Sequence, residues 1–216
     1  MLDRSSRPEK GALWTVAQAL NRRAAPKRPL PPLLFLTDPQ RTPDPVPIAE
    51  RLPSGAGVVY RGFGAADAPE VAERLAAVAR AQGLTLLIGV VESLAEACGA
   101  QGLHLPERMI HRVPEIRRDH PDWVITVAAH NAAALRQAAE AGADAALLST
   151  VFHSQSPSAG PALGADAFGR MVAEAGLPVY ALGGVDDFNA SHLSDSGAVG
   201  IAAVEGVIRM EAEEAG

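Results

Sequence analysis

The chain has 216 residues, 48% of them hydrophobic and 20% charged, which is enough apolar mass for one α/β barrel or, less naturally, two small domains. A formal net charge of −6 removes the basic footprint of a nucleic-acid binder, and no apolar run approaches the roughly 20 residues that span a bilayer. The first residues lack the apolar core of a signal peptide, and a lone cysteine, Cys98, allows neither a disulfide framework nor a cysteine zinc site, so a cytoplasmic protein without nucleic-acid or membrane partners is expected.

Residues 11–24, GALWTVAQALNRRA, place Leu13, Trp14, Val16, Ala17 and Leu20 near helical spacing before the prolines of 26–32 break the pattern. This predicts an extra N-terminal helix and linker over 1–30, with Trp14 sealing either a barrel floor or an oligomer contact. Leu33–Leu36 reads as the first strand, ended by Thr37-Asp38-Pro39, where Asp38 faces a ligand or makes an Asx turn. Four prolines between 43 and 53 shorten the helix that follows. Gly57–Tyr60 is the second strand, with Arg61 at its C-terminal end, and Pro69–Gln82 is an amphipathic helix closed by Gly83.

Leu84–Val90 gives strand three, Ser93–Cys98 a helix, and Gly102–Leu105 strand four, with His104 reaching the interior or the rim. Glu107–Arg118 is a helix interrupted near Pro114, and Trp123–Ala128 is strand five. Asn131 caps a helix to Ala141, and Ala145–Leu148 is strand six. The loop 149–164, STVFHSQSPSAGPALG, exceeds the usual β-α connection and is either a lid or a surface insertion. A helix over Ala165–Ala175 leads to strand seven, Val179–Leu182, and to Gly183-Gly184, a tight turn or a close approach to a ligand. Asp186 and Asp187 open a helix that Gly197 stops, and Gly200–Val204 is strand eight, followed by Glu205-Gly206 and a last helix.

Eight strand-helix units after one extra helix predict a parallel (β/α)₈ TIM barrel over 31–216. A doubly wound sheet needs a glycine-rich fingerprint after its first strand, where this chain has Thr-Asp-Pro-Gln. Ligands of such barrels sit at the C-terminal strand ends, and the turns after strands seven and eight commonly hold phosphate. An arginine at Arg61 suits a phosphate or carboxylate there.

The series LLFLTD, GAQGLHL, AAHN, AAEAGADAALLSTVF, LPVYALGGV and GAVGIAAVEGVI, in that order from Leu33 to Ile208, resembles the thiamine phosphate synthase family and its TenI-type thiazole tautomerase branch. The resemblance implies a barrel of thiamine biosynthesis that joins a pyrimidine pyrophosphate to a thiazole phosphate with Mg²⁺. Laid on the family motifs, however, only Arg61 survives of Gln-Leu-Arg-Glu-Lys, whose lysine falls on Phe63. The Asn-Asp pair that supplies a magnesium ligand falls on Gly89 and Val90, and the second aspartate falls near Met109, with Glu107 the nearby acid. The strand-five serine falls on Ala128, and the Thr-x-Thr-Lys loop falls on Ser154-Gln155-Ser156-Pro157. Departure of pyrophosphate needs metal and fixed positive charge, so little synthase activity is expected. The tautomerase histidine falls on Thr150, with His153 three residues on as a displaced acid or base or an exposed loop residue. A Schiff-base reaction is set aside because the two lysines, Lys10 and Lys27, precede the first strand.

The candidates are therefore Thr150 and His153 for catalysis, and Arg61, His104, Ser154, Ser156, Gly183, Gly184 and Glu205 for a phosphate-bearing ligand. Glu205 stands where the family usually has serine, so it either repels an incoming phosphate or turns outward and caps the last helix. No metal ligand is assigned, although the resemblance implies Mg²⁺. The expected partner is a small molecule of the thiazole phosphate or pyrimidine type, with a homo-oligomer left open. The alternatives are a non-catalytic ligand-binding or regulatory barrel, or an isomerase like the tautomerase.

Overall fold

In the computed structural model, which describes residues 11–154 and 160–214, eight short apolar runs become eight parallel strands. They are β1 (Leu33–Leu36), β2 (Gly57–Tyr60), β3 (Thr85–Gly89), β4 (Gly102–Leu105), β5 (Val124–Ala129), β6 (Ala145–Ser149), β7 (Val179–Leu182) and β8 (Gly200–Ala203). Each pairs with its neighbours in sequence, and β1 pairs with β8, so the sheet closes into a barrel without edges.

Strand residues are buried on both faces, as expected when a parallel sheet has side chains inside and helices outside. Alternation sorts them. Leu34, Leu36, Val59, Leu87, Leu147, Tyr180 and Ala202 belong to an inner cluster. Leu33, Phe35, Val58, Leu86, Ile88 and Leu103 join the larger core under the helices. The Tyr180 hydroxyl donates to the carbonyl of Pro31 at 2.7 Å, and burial drives its pKa upward, which keeps the phenol neutral.

The surrounding helices are α1 (Ala12–Ala24), α2 (Val46–Ala49), α3 (Ala68–Gln82), α4 (Glu92–Cys98), α5 (Val113–Asp119), α6 (Ala132–Ala141), α7 (Ala165–Ala173) and α8 (Glu205–Glu214). The helix expected from Glu107 splits into a 3₁₀ segment, Glu107–Arg112, and α5, with Pro114 in the first turn of α5, where its missing N–H costs nothing.

The helix expected after Asp186-Asp187 does not form. That connection holds only a 3₁₀ turn, Ala190–Leu193, and α1 fills the vacant flank. Leu13, Ala17 and Leu20 bury into the shared outer core, and Trp14 packs against the same core, so α1 lies along β8 and the 190–193 turn rather than across the floor. Asp187 is nearly buried because it caps α1: its Oδ1 accepts from the Leu13 N–H at 2.6 Å. At the other end of α1, Asn21 Nδ2 donates to the carbonyls of Leu30 and Val199, each at 3.0 Å.

Candidate functional site

At the C-terminal ends of the strands an open cleft of about 290 Å³ lies over β1, β2, β6, β7 and β8. It brings together Arg61, Thr150, His153, Ser154, Gly183, Gly184 and Glu205 of the expected residues. Ser156 lies outside the described residues.

His104 does not line the cleft. It points inside the barrel at 7% exposure, with Nδ1 3.0 Å from the Thr126 hydroxyl. Burial, followed by the nearby Arg61 guanidinium, pushes its pKa down to about 3, so the ring is neutral. Alternation places residue 104 on the inward face, and sequence pattern carries no information on depth; this is why a rim position looked equally open.

Arg61 is held by β1. Its backbone N–H donates to Thr37 Oγ1 at 2.9 Å and its Nε to the Thr37 carbonyl at 2.7 Å. A Cβ on Gly89 of β3 would press on the Tyr60 carbonyl at 3.1 Å while only touching Arg61 Cγ at 3.5 Å, so this glycine admits the backbone of β2 rather than the arginine side chain. Burial lowers the Arg61 pKa, but a guanidinium remains charged. Its Nη2 is buried and makes no hydrogen bond; the carboxylate Asp38 Oδ2 stands 3.8 Å away.

Arg41 and Arg209 also line the cleft, and neither stood out in the sequence. They belong to a chain of alternating charge along the rim. Asp38 Oδ2 accepts from Arg41 Nη2 at 2.9 Å, and Arg41 Nη1 reaches Glu205 Oε1 at 3.3 Å. Glu205 Oε2 faces Arg209 Nη2 at 3.8 Å, and Arg209 Nη1 bonds Asp186 Oδ2 at 3.1 Å. The hydrogen bond to Arg41 holds the Asp38 carboxyl below its usual range, and the same bond raises the Arg41 pKa. The local spacings in this chain are Asp38 to Arg41 at i, i+3 and Glu205 to Arg209 at i, i+4 on α8.

The glycine pair has a structural occupant. A Cβ on Gly184 would stand 2.3 Å from the His153 carbonyl oxygen, and one on Gly183 2.9 Å from Thr150 Cγ2. Both residues have left-handed φ, 96° and 66°. A Cβ on Gly206 would meet the Val185 carbonyl at 2.3 Å, so the loops after β6, β7 and β8 stack backbone on backbone.

The residues at the family's magnesium positions do not fit the ion. Gly89 and Val90 offer no side-chain donor, and Glu107 is engaged by His130, whose Nδ1 lies at 2.7 Å and whose backbone N–H donates at 3.0 Å. Among the described residues, no three His, Cys, Asp or Glu side chains cluster as a metal site.

Comparison with known proteins places this geometry. A family model described as thiamine monophosphate synthase matches residues 34–207. The chain is 33% identical over 140 residues to the thiamine biosynthesis bifunctional protein ThiM/ThiE of Symbiobacterium thermophilum, covering 64% of this chain and only 29% of that protein. It is 26% identical over 170 residues to a thiamine-phosphate synthase of Roseiflexus, covering 74% and 70% of the two chains. The thiamine phosphate pyrophosphorylase of Pyrococcus furiosus superposes with a TM-score of 0.69 over 85% of this chain and 96% of that one, at 21% identity, a likeness of fold. With the closed eight-stranded barrel and a match that runs from β1 into α8, the chain belongs to the thiamine monophosphate synthase family.

Proposed function

We propose that this chain binds a small anionic ligand of the thiamine pathway in the cleft, anchored by Arg61, and does not carry out the synthase reaction. One observation carries the reading. Of the three arginines that line the cleft among the described residues, Arg41 and Arg209 are engaged by carboxylates at 2.9–3.3 Å, whereas the carboxylate beside Arg61, Asp38, stands 3.8 Å away. With no carboxylate at hydrogen-bond distance the Arg61 charge is left uncompensated, and the exposed part of its side chain is where a ligand anion offsets that. The absence of donors at Gly89 and Val90 supports the loss of the metal-dependent step.

The phosphate position beside α8 is closed by Glu205. A carboxylate there takes up Arg41 and Arg209 as counter-ions and repels an incoming dianion. Two like charges at about 4 Å cost roughly 1 kcal/mol in water and about 4 kcal/mol at an effective dielectric of 20. Glu205→Ser removes that repulsion and takes one carboxylate partner from each of Arg41 and Arg209, which keep Asp38 and Asp186. Calorimetry with thiazole phosphate is expected to show the variant binding about tenfold or more tightly than the parent. Equal affinities overturn the role given to Glu205. The isomerase reading has His153 in its favour, since it lines the same cleft.

A further inference from the structure

Beside Arg61, outside the lining of the cleft, the loops after β2 and β3 carry exposed apolar side chains. Phe63, in the loop after β2, is 71% exposed, and Val90 and Val91, directly after β3, are 37% and 45% exposed. β2 and β3 are paired through Tyr60 and Ile88, so these loops leave the barrel side by side. Single exposed apolar residues are ordinary. These are not ordinary in their backbone. Phe63 has φ 47° and Val90 φ 68°, left-handed conformations that an aromatic and a β-branched residue rarely adopt. Strain of this sort persists where the surroundings enforce it and concentrates at ligand sites.

The identities at these positions point the same way. Phe63 occupies the place of the lysine in the Gln-Leu-Arg-Glu-Lys motif of the resembling family, and Val90 that of its magnesium aspartate. At these two positions the chain carries apolar groups where the resembling family has a lysine and an aspartate, and it keeps the arginine two residues before Phe63. The Arg61 guanidinium carbon lies 5.5 Å from the centroid of the Phe63 ring, so a ligand that touches one is within reach of the other.

We infer that Phe63, Val90 and Val91 form an apolar shelf that takes the flat ring of an aromatic monocarboxylate, with the carboxylate paired to Arg61. The inference rests on Arg61 as the anion anchor proposed above and adds the chemical class of the ligand. With Nε given to the Thr37 carbonyl and Nη2 buried, Nη1 is the nitrogen left to meet a ligand, which suits a single carboxylate oxygen end-on. A dianion fits less well, because Asp38 Oδ2 already stands 3.8 Å from Arg61 Nη2 and Glu205 and Asp186 line the adjoining cleft. A ring stacked on Phe63 adds dispersion and covers apolar surface.

The test uses ligand-observed NMR titration of the whole chain with benzoate, acetate, and pyrophosphate with Mg²⁺. Benzoate is expected to bind about fivefold or more tightly than acetate, a margin in keeping with one aromatic contact. Phe63→Ala, a change at an exposed position, brings benzoate down to the acetate level and leaves acetate unchanged. Arg61→Gln weakens both carboxylates about tenfold or more. Equal binding of benzoate and acetate to the parent, or an unchanged ratio in Phe63→Ala, overturns the shelf while leaving the Arg61 anchor standing. Carboxylate binding that survives Arg61→Gln in a folded variant overturns both. Magnesium pyrophosphate binding more tightly than benzoate also overturns the shelf. So does a parent oligomer that Phe63→Ala dissociates in sedimentation, since the shelf then belongs to a second copy.

Discussion

His104 shows how one buried side chain acquires a pH dependence that its type alone does not dictate. In the unfolded chain its pKa is about 6.5, whereas burial and Arg61 hold it near 3 in the fold. Its pKa is lowered on folding, so between these values the unfolded state binds a proton that the folded state does not. Stability therefore falls as pH falls from about 6.5 towards 3. Between pH 6.5 and 4.5 this single group contributes a loss of about 2–3 kcal/mol at roughly 1.4 kcal/mol per unit. Urea unfolding of the parent and of His104→Gln across pH 7 to 4.5 checks this: the variant is expected to lose that much less. Parallel pH profiles would show that the histidine is not the source.

At the scale of elements, the connection between β7 and β8 and the helix α1 form one unit. Residues 186–197 carry the apolar content of a turn, not of an amphipathic helix, so the flank they leave open is covered from the N-terminal side of the chain. Asp187 joins the two parts by accepting the Leu13 N–H, and its charge is favourable at the positive end of α1. Asp187→Ala leaves that donor buried without this partner. The expected loss is about 1–2 kcal/mol in chemical denaturation. Faster amide exchange over 12–24 is expected with it. A loss of stability without faster exchange in α1 would place the role of Asp187 elsewhere.

For the whole molecule, the barrel keeps the architecture of its family and changes the electrostatics of its mouth. One part of the rim is an ion-pair chain from Asp38 to Asp186, the loops after β2 and β3 beside Arg61 expose Phe63, Val90 and Val91, and the loops after β4 and β5 pair Glu107 with His130. None of these parts offers the concentrated positive charge that a departing pyrophosphate requires. The protein with pyrimidine pyrophosphate, thiazole phosphate and Mg²⁺ is expected to form thiamine phosphate at less than about a hundredth of an ordinary enzyme rate of roughly 1 s⁻¹. Added Mg²⁺ is not expected to raise it. Metal-dependent turnover at or above roughly 1 s⁻¹ in a coupled assay would overturn this.

Much of the fold was legible in the sequence because each strand is a short apolar run bounded by polar or glycine residues, and each long helix shows its period. Eight such units in alternation leave few topologies besides a closed parallel barrel. Arg61, Gly183, Gly184 and Glu205 were legible as mouth residues for the same reason, since they directly follow strands. What needed tertiary structure was everything that depends on contacts between distant segments. Arg41 meets Glu205 across 164 residues, and Asp187 meets Leu13 across 174, so no local pattern announces either pair. The glycine pair reads alike whether a ligand or another loop fills its space, and only the packing of 152–153 against Gly184 distinguishes them. The left-handed φ of Phe63 and Val90 is likewise invisible in a list of residues, because neither an aromatic nor a β-branched side chain favours it.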